Sequence, residues 1–334
     1  MRLGDELRLA PRYENGDEAT YSWSIEGVEL SNQPTYTFTV QSKGITKILL
    51  TVSNTSGCDS REFNITAIDR FMVYDYTPAP GQFIGELKTG GFVGTETTHE
   101  DAIAYAERRL MDDKFVSLGA FGGYIIVGFD RIVDNSEGYD FSIGGNAFDG
   151  SSEPGVVWVM QDENGDGKPN DTWYELSGSE TGNAETIQNY TVTYYRPKAP
   201  KMDVQWSDNM GGSGIVEYLE DFHNQNSYYP VWIEADSYTL RGTLLKSRSY
   251  DSSGNGSKWA NPAFGWGYAD NASTIDNLNR ENLFEISNAI DEQGNAVVLE
   301  YIDFIKVQSA IQQQCGWIGE VSTEVTSFKI IDSE

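Results

Sequence analysis

The chain has little cysteine, little histidine and few basic residues. Among its 334 residues are 2 cysteines and 2 histidines, and 23 lysines and arginines stand against 51 aspartates and glutamates. Two cysteines as far apart as Cys58 and Cys315 exclude a disulfide framework or a cysteine metal site, and leave one bridge between them as an open question. The net charge of −28 argues against nucleic acid and anionic membranes as partners, because both would repel the protein.

Long apolar runs are also missing. No stretch approaches the roughly 18 apolar residues of a membrane-spanning helix, and residues 1–5 lack the charged and apolar regions of a signal peptide. We therefore expect no membrane span, and a chain that is either cytosolic or already processed.

The two histidines give little support for catalysis. Neither His99 nor His223 lies near a nucleophile-elbow motif, so a serine or cysteine triad is not indicated. A pair of carboxylates of the kind that glycosidases use stays open, because 51 acidic residues provide many pairs and the sequence cannot place two of them at the working separation. We predict that the protein is not an enzyme.

What the chain does have is enough apolar and aromatic material for two domains, 39% hydrophobic and 13% aromatic residues. Residues 5–68 alternate in a strand rhythm, with turn residues between the strands, which predicts a small β-sandwich. The predicted strands cover 6–9, 20–25, 35–40, 47–52 and 61–65.

This first region resembles the PKD family, whose domains have an immunoglobulin-like sandwich fold. The resemblance is carried by four motifs: Gly4-Asp5-Glu6-Leu7, Tyr21-x-Trp23, Tyr36-x-Phe38 and Leu50-x-Val52-x-Asn54. It implies a spacer domain over 1–68 with Trp23 in its core. The family's opening strand, which would precede Gly4, is missing from this chain.

Residues 69–334 predict a second, larger domain of antiparallel strands. Helix-forming residues over 100–110 predict a short helix, and strands are predicted at 115–118, 124–129, 156–160, 172–176, 190–195, 231–233, 299–307 and 324–331. Many strands separated by irregular loops indicate an antiparallel sandwich or jelly roll. The expected fold is therefore mostly β, with one or two short helices.

The second region resembles a family of bacterial surface proteins with a jelly-roll sandwich similar to galactose-binding-like modules. Its motifs are Gly122-Gly123-Tyr124-Ile125-Ile126, Gly144-Gly145-Asn146, Ser152-Glu153-Pro154-Gly155 and Gly319-Glu320-x-Ser322-Thr323-Glu324. Together with the PKD-like region, the arrangement resembles cell-surface lipoproteins of Bacteroidota. That resemblance implies nutrient capture beside a TonB-dependent outer-membrane transporter, with a corrinoid such as cobalamin or a glycan as ligand.

A calcium loop is predicted at residues 162–171, between two strands of the larger region. Oxygen ligands at alternate positions ahead of a glycine suit a hard cation, and a structural calcium ion would fasten this loop. The predicted ligands are Asp162, Asn164, Asp166, the backbone carbonyl of Lys168, and Asp171. The alternative is an ordinary turn without an ion, because aspartate, asparagine and glycine also dominate turns.

A calcium loop of this kind requires a calcium-rich compartment. It therefore favours an exported, cell-surface protein whose signal peptide and lipid anchor are absent from this chain.

Two aromatic loops are the candidate ligand sites, since aromatic faces stack on flat rings while amide groups orient polar substituents. The alternative is that these side chains pack the loops onto the sandwich. The candidate residues are Trp206 and Asn209 in the first loop, and Trp259, Asn261, Trp266, Tyr268 and Asp270 in the second.

Three functions are compatible with these features. A non-catalytic surface protein that binds a small molecule or a glycan is the first hypothesis. A structural or adhesive module without a small ligand is the second, and a glycan-active hydrolase is the third.

Overall fold

The computed structural model describes residues 6–11, 19–41, 44–67 and 71–331. The protein is mostly β, as predicted, with several antiparallel sheets and, within the described residues, one α-helix. The chain divides into two compact units, Met1–Met72 and Val73–Glu334.

The strands of the small unit form a four-stranded sheet with the order β3-β2-β5-β6 and a two-stranded sheet of β1 and β4. They are β1 (Glu6–Leu9), β2 (Thr20–Ile25), β3 (Val28–Ser31), β4 (Tyr36–Thr39), β5 (Gly44–Asn54) and β6 (Gly57–Ala67).

The core of the small unit follows from the alternation of β2. Tyr21 and Trp23 point to the same face, and Trp23 is fully buried with its indole nitrogen donating to the carbonyl of Gln33 at 2.9 Å. The predicted core role of Trp23 is confirmed. The β3 strand was not predicted, because the turn before it consists of Glu26 and Gly27, both at positive φ (49° and 81°), and glutamate is a weak turn signal.

The helix α1 (His99–Met111) forms where helix-forming residues predicted it. Its N-terminus has a capping box, in which the Thr98 side chain accepts from the Asp101 amide and the Asp101 side chain accepts from the Thr98 amide. Tyr105 and Leu110 lie on its buried face. His99 lies on the exposed side, 3.1 Å from the carboxylate of Asp75.

The large unit is built around a six-stranded antiparallel sheet with the order β21-β12-β11-β22-β9-β7. Its strands are β7 (Phe71–Thr77), β9 (Tyr124–Asp134), β11 (Gly155–Met160), β12 (Trp173–Leu176), β21 (Ala289–Ile290) and β22 (Tyr301–Ser309).

Smaller sheets surround this central sheet, with orders β15-β14-β13-β16, β19-β20-β10-β24, β17-β18 and β23-β8. Their strands are β8 (Val116–Ser117), β10 (Phe141–Gly144), β13 (Ile187–Tyr195), β14 (Val204–Asp208), β15 (Ser213–Val216), β16 (Ser237–Leu244), β17 (Tyr250–Asp251), β18 (Trp259–Ala260), β19 (Asn277–Leu278), β20 (Glu281–Phe284), β23 (Glu324–Val325) and β24 (Ser327–Ile330). Two 3-10 turns lie at Ile286–Asn288 and Gly316–Ile318. The jelly-roll connectivity stays a prediction.

The predicted strand at 231–233 is wrong, because that segment is irregular. Trp232 is buried there, with its ring stacked on Phe92 at a centroid distance of 5.7 Å. A short apolar run indicates that a segment is buried, but a buried segment need not be a strand.

Both cysteines are free thiols. Cys58 is exposed on the small unit, whereas Cys315 is buried in the large one. Burial raises the pKa of the Cys315 thiol to about 11.

Candidate ligand-binding site

The register of the central sheet brings together aromatic and charged side chains that are far apart in sequence. Trp158 of β11 lies directly between Glu175 of β12 and Lys306 of β22, and Lys306 lies beside Ile126 of β9. Because side chains directly opposite each other share a face of the sheet, these four form one row. The alternate residues of β11 and β22, such as Val157 and Val307, are fully buried on the other face.

A cleft of about 530 Å³ opens over this face, within the size range of small-ligand sites. Five structural elements of the large unit supply its walls: β7, β9, β12, β16 and β22. The residues that line it are Thr77, Tyr124, Ile126, Trp173, Ile233, Tyr238, Thr239, Leu240, Arg241, Lys306 and Gln308. We call this the central cleft.

Lys306 sits among aromatic rings at the base of the central cleft. Its ammonium nitrogen is 4.6 Å from the ring centroid of Trp158, 5.3 Å from that of Trp173 and 5.9 Å from that of Tyr124. The negative faces of the rings attract the cation and hold it in place. The aromatic residues therefore hold one positive charge in a partly desolvated position.

Burial changes the ionisation of Lys306 and of its neighbour Glu175. Burial lowers the pKa of Lys306 to about 8, although the charge of Glu175 acts in the opposite direction. Burial raises the pKa of Glu175 to about 7, although a hydrogen bond from Thr243 and the charge of Lys306 favour its ionised form. Both groups therefore titrate close to neutral pH.

The remaining polar groups of the central cleft differ in whether they have hydrogen-bond partners. Tyr124 donates its hydroxyl proton to Asp75 at 2.9 Å, and Tyr238 donates to the carbonyl of Pro78 at 2.8 Å. The Gln308 amide nitrogen donates to the carbonyls of Gly122 and Arg241, whereas its buried Oε1 has no hydrogen-bond partner among the described residues. The Gln308 oxygen is thus an unpaired acceptor buried beside Gly242.

The predicted ligand residues lie elsewhere, in separate places. Trp206 is half-buried and lines a recess of about 260 Å³ with Glu320, and Asn209 lies in an exposed turn bonded to the backbone of Thr191 and Asn189. Trp266 is half-buried in a different groove, of about 380 Å³, with Tyr139. The structure does not bring the two aromatic loops into one site.

The other predicted ligand residues of the second loop are mostly packing residues. Tyr268 is buried against Phe264, with a ring-centroid distance of 5.5 Å, and its hydroxyl accepts from the amide of Glu180. Trp259 is half-buried against the same apolar cluster, and Asn261 is buried. The prediction of an open ring face is therefore wrong for Tyr268.

Asp270, the last of these predicted ligand residues, is fully buried and lies beside two other carboxylates. Oxygens of Glu153, Asp270 and Glu324 lie within 4.8 Å of one another, and no other group of three or more acidic, histidine or cysteine side chains is gathered in this way in the described part of the chain. We call these three residues the carboxylate cluster. Sequence reasoning missed it, because its members are separated by more than 50 positions.

The predicted calcium loop is an exposed turn held by its own aspartates. The two oxygens of Asp162 accept from the amides of Gly165 and Gly167, both at 2.8 Å, and Asp166 accepts from the amide of Lys168 at 2.9 Å. Asp171 accepts from the amide of Glu163, and the Lys168 carbonyl accepts from Asn170.

The chemistry of this donor set, carboxylate, amide and backbone oxygens, suits calcium. The carboxylates of Asp162, Asp166 and Asp171 nevertheless do not gather within the 4.8 Å that defines the carboxylate cluster. The structure therefore leaves calcium in this loop as a prediction.

Comparison with known proteins finds a matching family for one part of the chain. A family model described as PKD-like domain matches residues 1–54. The chain begins with a PKD-like domain. No curated protein sequence matches the chain.

Solved structures give only distant likenesses. One belongs to a study of the promiscuous specificity of carbohydrate-binding modules of the β-sandwich superfamily, with 12% identity, coverage of 98% of this chain and 92% of that one, and a TM-score of 0.23. A SusE-like protein has 8% identity, coverage of 93% and 87%, and a TM-score of 0.22. A quinoprotein alcohol dehydrogenase-like protein from Bacteroides thetaiotaomicron has 14% identity, coverage of 66% and 47%, and a TM-score of 0.20. TM-scores this low support no conclusion about the function of the large unit.

None of the described helices has the length and apolar character that crossing a membrane requires.

Proposed function

We propose that this protein is a non-catalytic ligand-binding protein of the cell surface, and that the central cleft binds the ligand. The observation that carries the proposal is the position of Lys306, a single cation held against Trp158 and Trp173 at the base of an open cleft. Aromatic walls around a few fixed polar groups are the usual composition of a small-molecule site.

The chemistry of the central cleft limits the ligand. Trp173 and Tyr124 supply ring faces for stacking on a flat or ring-shaped group. Lys306 places a positive charge in the cleft of a molecule whose net charge is −28, so it favours an anionic group on the ligand. The guanidinium of Arg241, another lining residue, donates to the side chain of Asn189.

An acidic glycan combines these features, and so does a corrinoid such as cobalamin, which has a flat ring, amide arms and a phosphodiester. The PKD-like domain supports a location at the cell surface, where it would act as a spacer. A TonB-dependent outer-membrane transporter is the partner that we propose for the delivery of either ligand.

The test is calorimetric titration of the full chain with cobalamin, an acidic oligosaccharide and a neutral oligosaccharide. Trp173→Ala and Lys306→Met should each weaken binding of the acidic ligand by about tenfold or more, which corresponds to the loss of one stacking or charge contact of about 1.4 kcal/mol. Trp317→Ala is the matched control, because Trp317 is half-exposed and does not line the central cleft.

Trp206→Ala and Trp266→Ala test the aromatic loops in the same titrations. Weaker binding in either of these variants, with unchanged binding in Trp173→Ala and Lys306→Met, would move the site to a loop and contradict the proposal. Binding of no member of the panel would favour a structural or adhesive module instead.

A further inference from the structure

The carboxylate cluster lies where three distant segments of the large unit meet. Glu153 lies two residues before β11, Asp270 follows β18 in a loop, and Glu324 begins β23. The backbone joins these segments, since the amide of Glu153 donates to the carbonyl of Asp270 and the amide of Glu324 donates to the Asp270 carboxylate, both at 3.0 Å. The three side chains are thus fixed by the framework of the unit.

Backbone hydrogen bonds fix the position of the Asp270 carboxyl group. Its Oδ1 accepts from the amides of Asn146 and Ala147 at 2.9 and 2.8 Å, and its Oδ2 accepts from the amide of Glu324. Three backbone donors on one carboxylate favour its charged form. Glu153 likewise accepts from the amide of Ser322 at 3.3 Å.

Glu324 is not satisfied in this way. It is 2% exposed, and its Oε1 has no hydrogen-bond partner among the described residues, while Oε2 receives a long contact of 3.4 Å from the side-chain amide of Asn146. The side chains of Glu153, Ser322 and Ser117 also act on the pKa of this carboxyl group. A buried carboxylate oxygen without a donor is costly unless something else neutralises it. One oxygen of the same Glu324 carboxyl group belongs to the set of oxygens that lie within 4.8 Å of one another.

The surroundings provide more negative charge and, among the described residues, no cation that shifts these groups. Glu320 is 3% exposed, has an unpartnered Oε2, and contributes to the raised pKa of Glu153. Burial is the largest cause of the raised pKa of Glu153, Asp270 and Glu324, followed by charges and hydrogen bonds from neighbouring groups. The charge of the cluster must therefore be neutralised by bound protons or by a cation from outside the chain.

We propose that Glu153, Asp270 and Glu324 form a binding site for a hard divalent cation of the calcium type. Carboxylate oxygens from three segments around one centre are a donor set that hard cations prefer over soft ones. The site would join the segment before β11 to the loop at Asp270 and to β23, and it is distinct from the loop at 162–171.

The experiment first disables the other candidate metal site, the loop at 162–171, and then measures how many calcium ions bind per chain. The double variant Asp162→Asn with Asp166→Asn disables the loop at 162–171, and the chelator-treated full-length protein is titrated with CaCl2 by calorimetry. Binding of about one equivalent of calcium per chain is expected in this loop variant, and adding Glu324→Gln should abolish it. Glu153→Gln should do the same and, because Glu153 is partly exposed, it guards against a Glu324 variant that does not fold.

Two results would overturn the proposal. The first is a loop variant that folds but binds neither calcium nor, in parallel titrations, magnesium or manganese, which would mean that protons alone neutralise the cluster. The second is an unchanged equivalent of calcium in both Glu324→Gln and Glu153→Gln. Proton release in the loop variant on calcium addition, measured by titration in two buffers of different ionisation enthalpy, should accompany binding at carboxyl groups with raised pKa.

Discussion

At the scale of single residues, Lys306 and Glu175 are the side chains whose behaviour depends most on burial. They lie on either side of Trp158 in one row of the central sheet. In the folded protein the pKa of each group lies close to neutral pH. Their titration should therefore be visible in the stability of the folded protein.

From the raised pKa of Glu175 we expect the folded protein to lose stability as the pH rises. Its pKa is about 7 in the folded protein against 4.5 for an ordinary glutamate, so between these values the folded state binds more protons than the unfolded state. The contribution is fully present below pH 4.5 and is lost as the pH rises through 7. For a shift of this size the change is on the order of 3 kcal/mol.

Urea unfolding of the wild type and of Glu175→Gln across this pH range measures the effect. Other buried carboxyl groups titrate in both proteins, so the difference between the two isolates Glu175. The variant should gain stability relative to the wild type as the pH rises, and parallel pH profiles would contradict the assignment. Lys306 has the opposite sign, because its lowered pKa of about 8 makes stability rise between pH 8 and 10.5.

Trp23 makes a second prediction at this scale. Its ring is fully buried in the small unit, and Trp23→Ala removes both this packing and the hydrogen bond to Gln33. The loss should be about 3–5 kcal/mol in the unfolding free energy of the small unit, measured by denaturant. Trp317→Ala, at a position 50% exposed, should cost much less, and equal losses in the two variants would contradict the core role of Trp23.

At the scale of elements, the loop at 162–171 shows what a local motif can and cannot predict. The positions of Asp162, Asn164 and Asp166 ahead of Gly167 are visible in the sequence, and the structure shows each of them accepting backbone amides of the same loop. Those bonds shape the loop without an ion, so the turn itself does not decide whether calcium binds.

We predict that calcium binds this loop and that chelation therefore lowers the melting temperature. An ion that binds only the folded state stabilises it by about 2.7 kcal/mol at a hundredfold excess over its dissociation constant. For a unit of this size the shift is several degrees, at about 2–4 °C per kcal/mol. Differential scanning fluorimetry with EDTA and with added CaCl2 measures it.

The double variant Asp162→Asn with Asp166→Asn should respond less to chelation than the wild type. Asp291→Asn is the matched control, because Asp291 also accepts amides of its own turn, while Ala296 stands where the calcium pattern requires a glycine. An equal response in the loop variant and the wild type would contradict calcium binding in this loop.

Elements with a local signal could be predicted, and those that depend on distant partners could not. Alternation revealed the β2 strand around Trp23, and helix-forming residues revealed α1. The strand at 231–233 failed because Trp232 is buried by stacking, which gives the same apolar signal. The central cleft could not be predicted, because Trp158 and Lys306 become neighbours only through the register of β11 and β22.

At the scale of the whole molecule, the two compact units have separate cores and should unfold separately. Heat is absorbed roughly in proportion to the number of residues that unfold, so the smaller unit should give about a quarter of the enthalpy of the larger. Differential scanning calorimetry should therefore show two transitions. Trp23→Ala should lower the temperature of the minor transition alone, and a shift of both transitions would show that the units unfold together.

The two free thiols have a practical consequence. Cys58 is exposed, whereas Cys315 is buried with a pKa of about 11, so a maleimide reagent at neutral pH should modify only Cys58. The wild-type chain thus has one attachment point, and it lies on the small unit, while the central cleft is built wholly from the large one. A fluorophore or a surface tether can therefore be placed on the small unit without altering a single residue of the cleft.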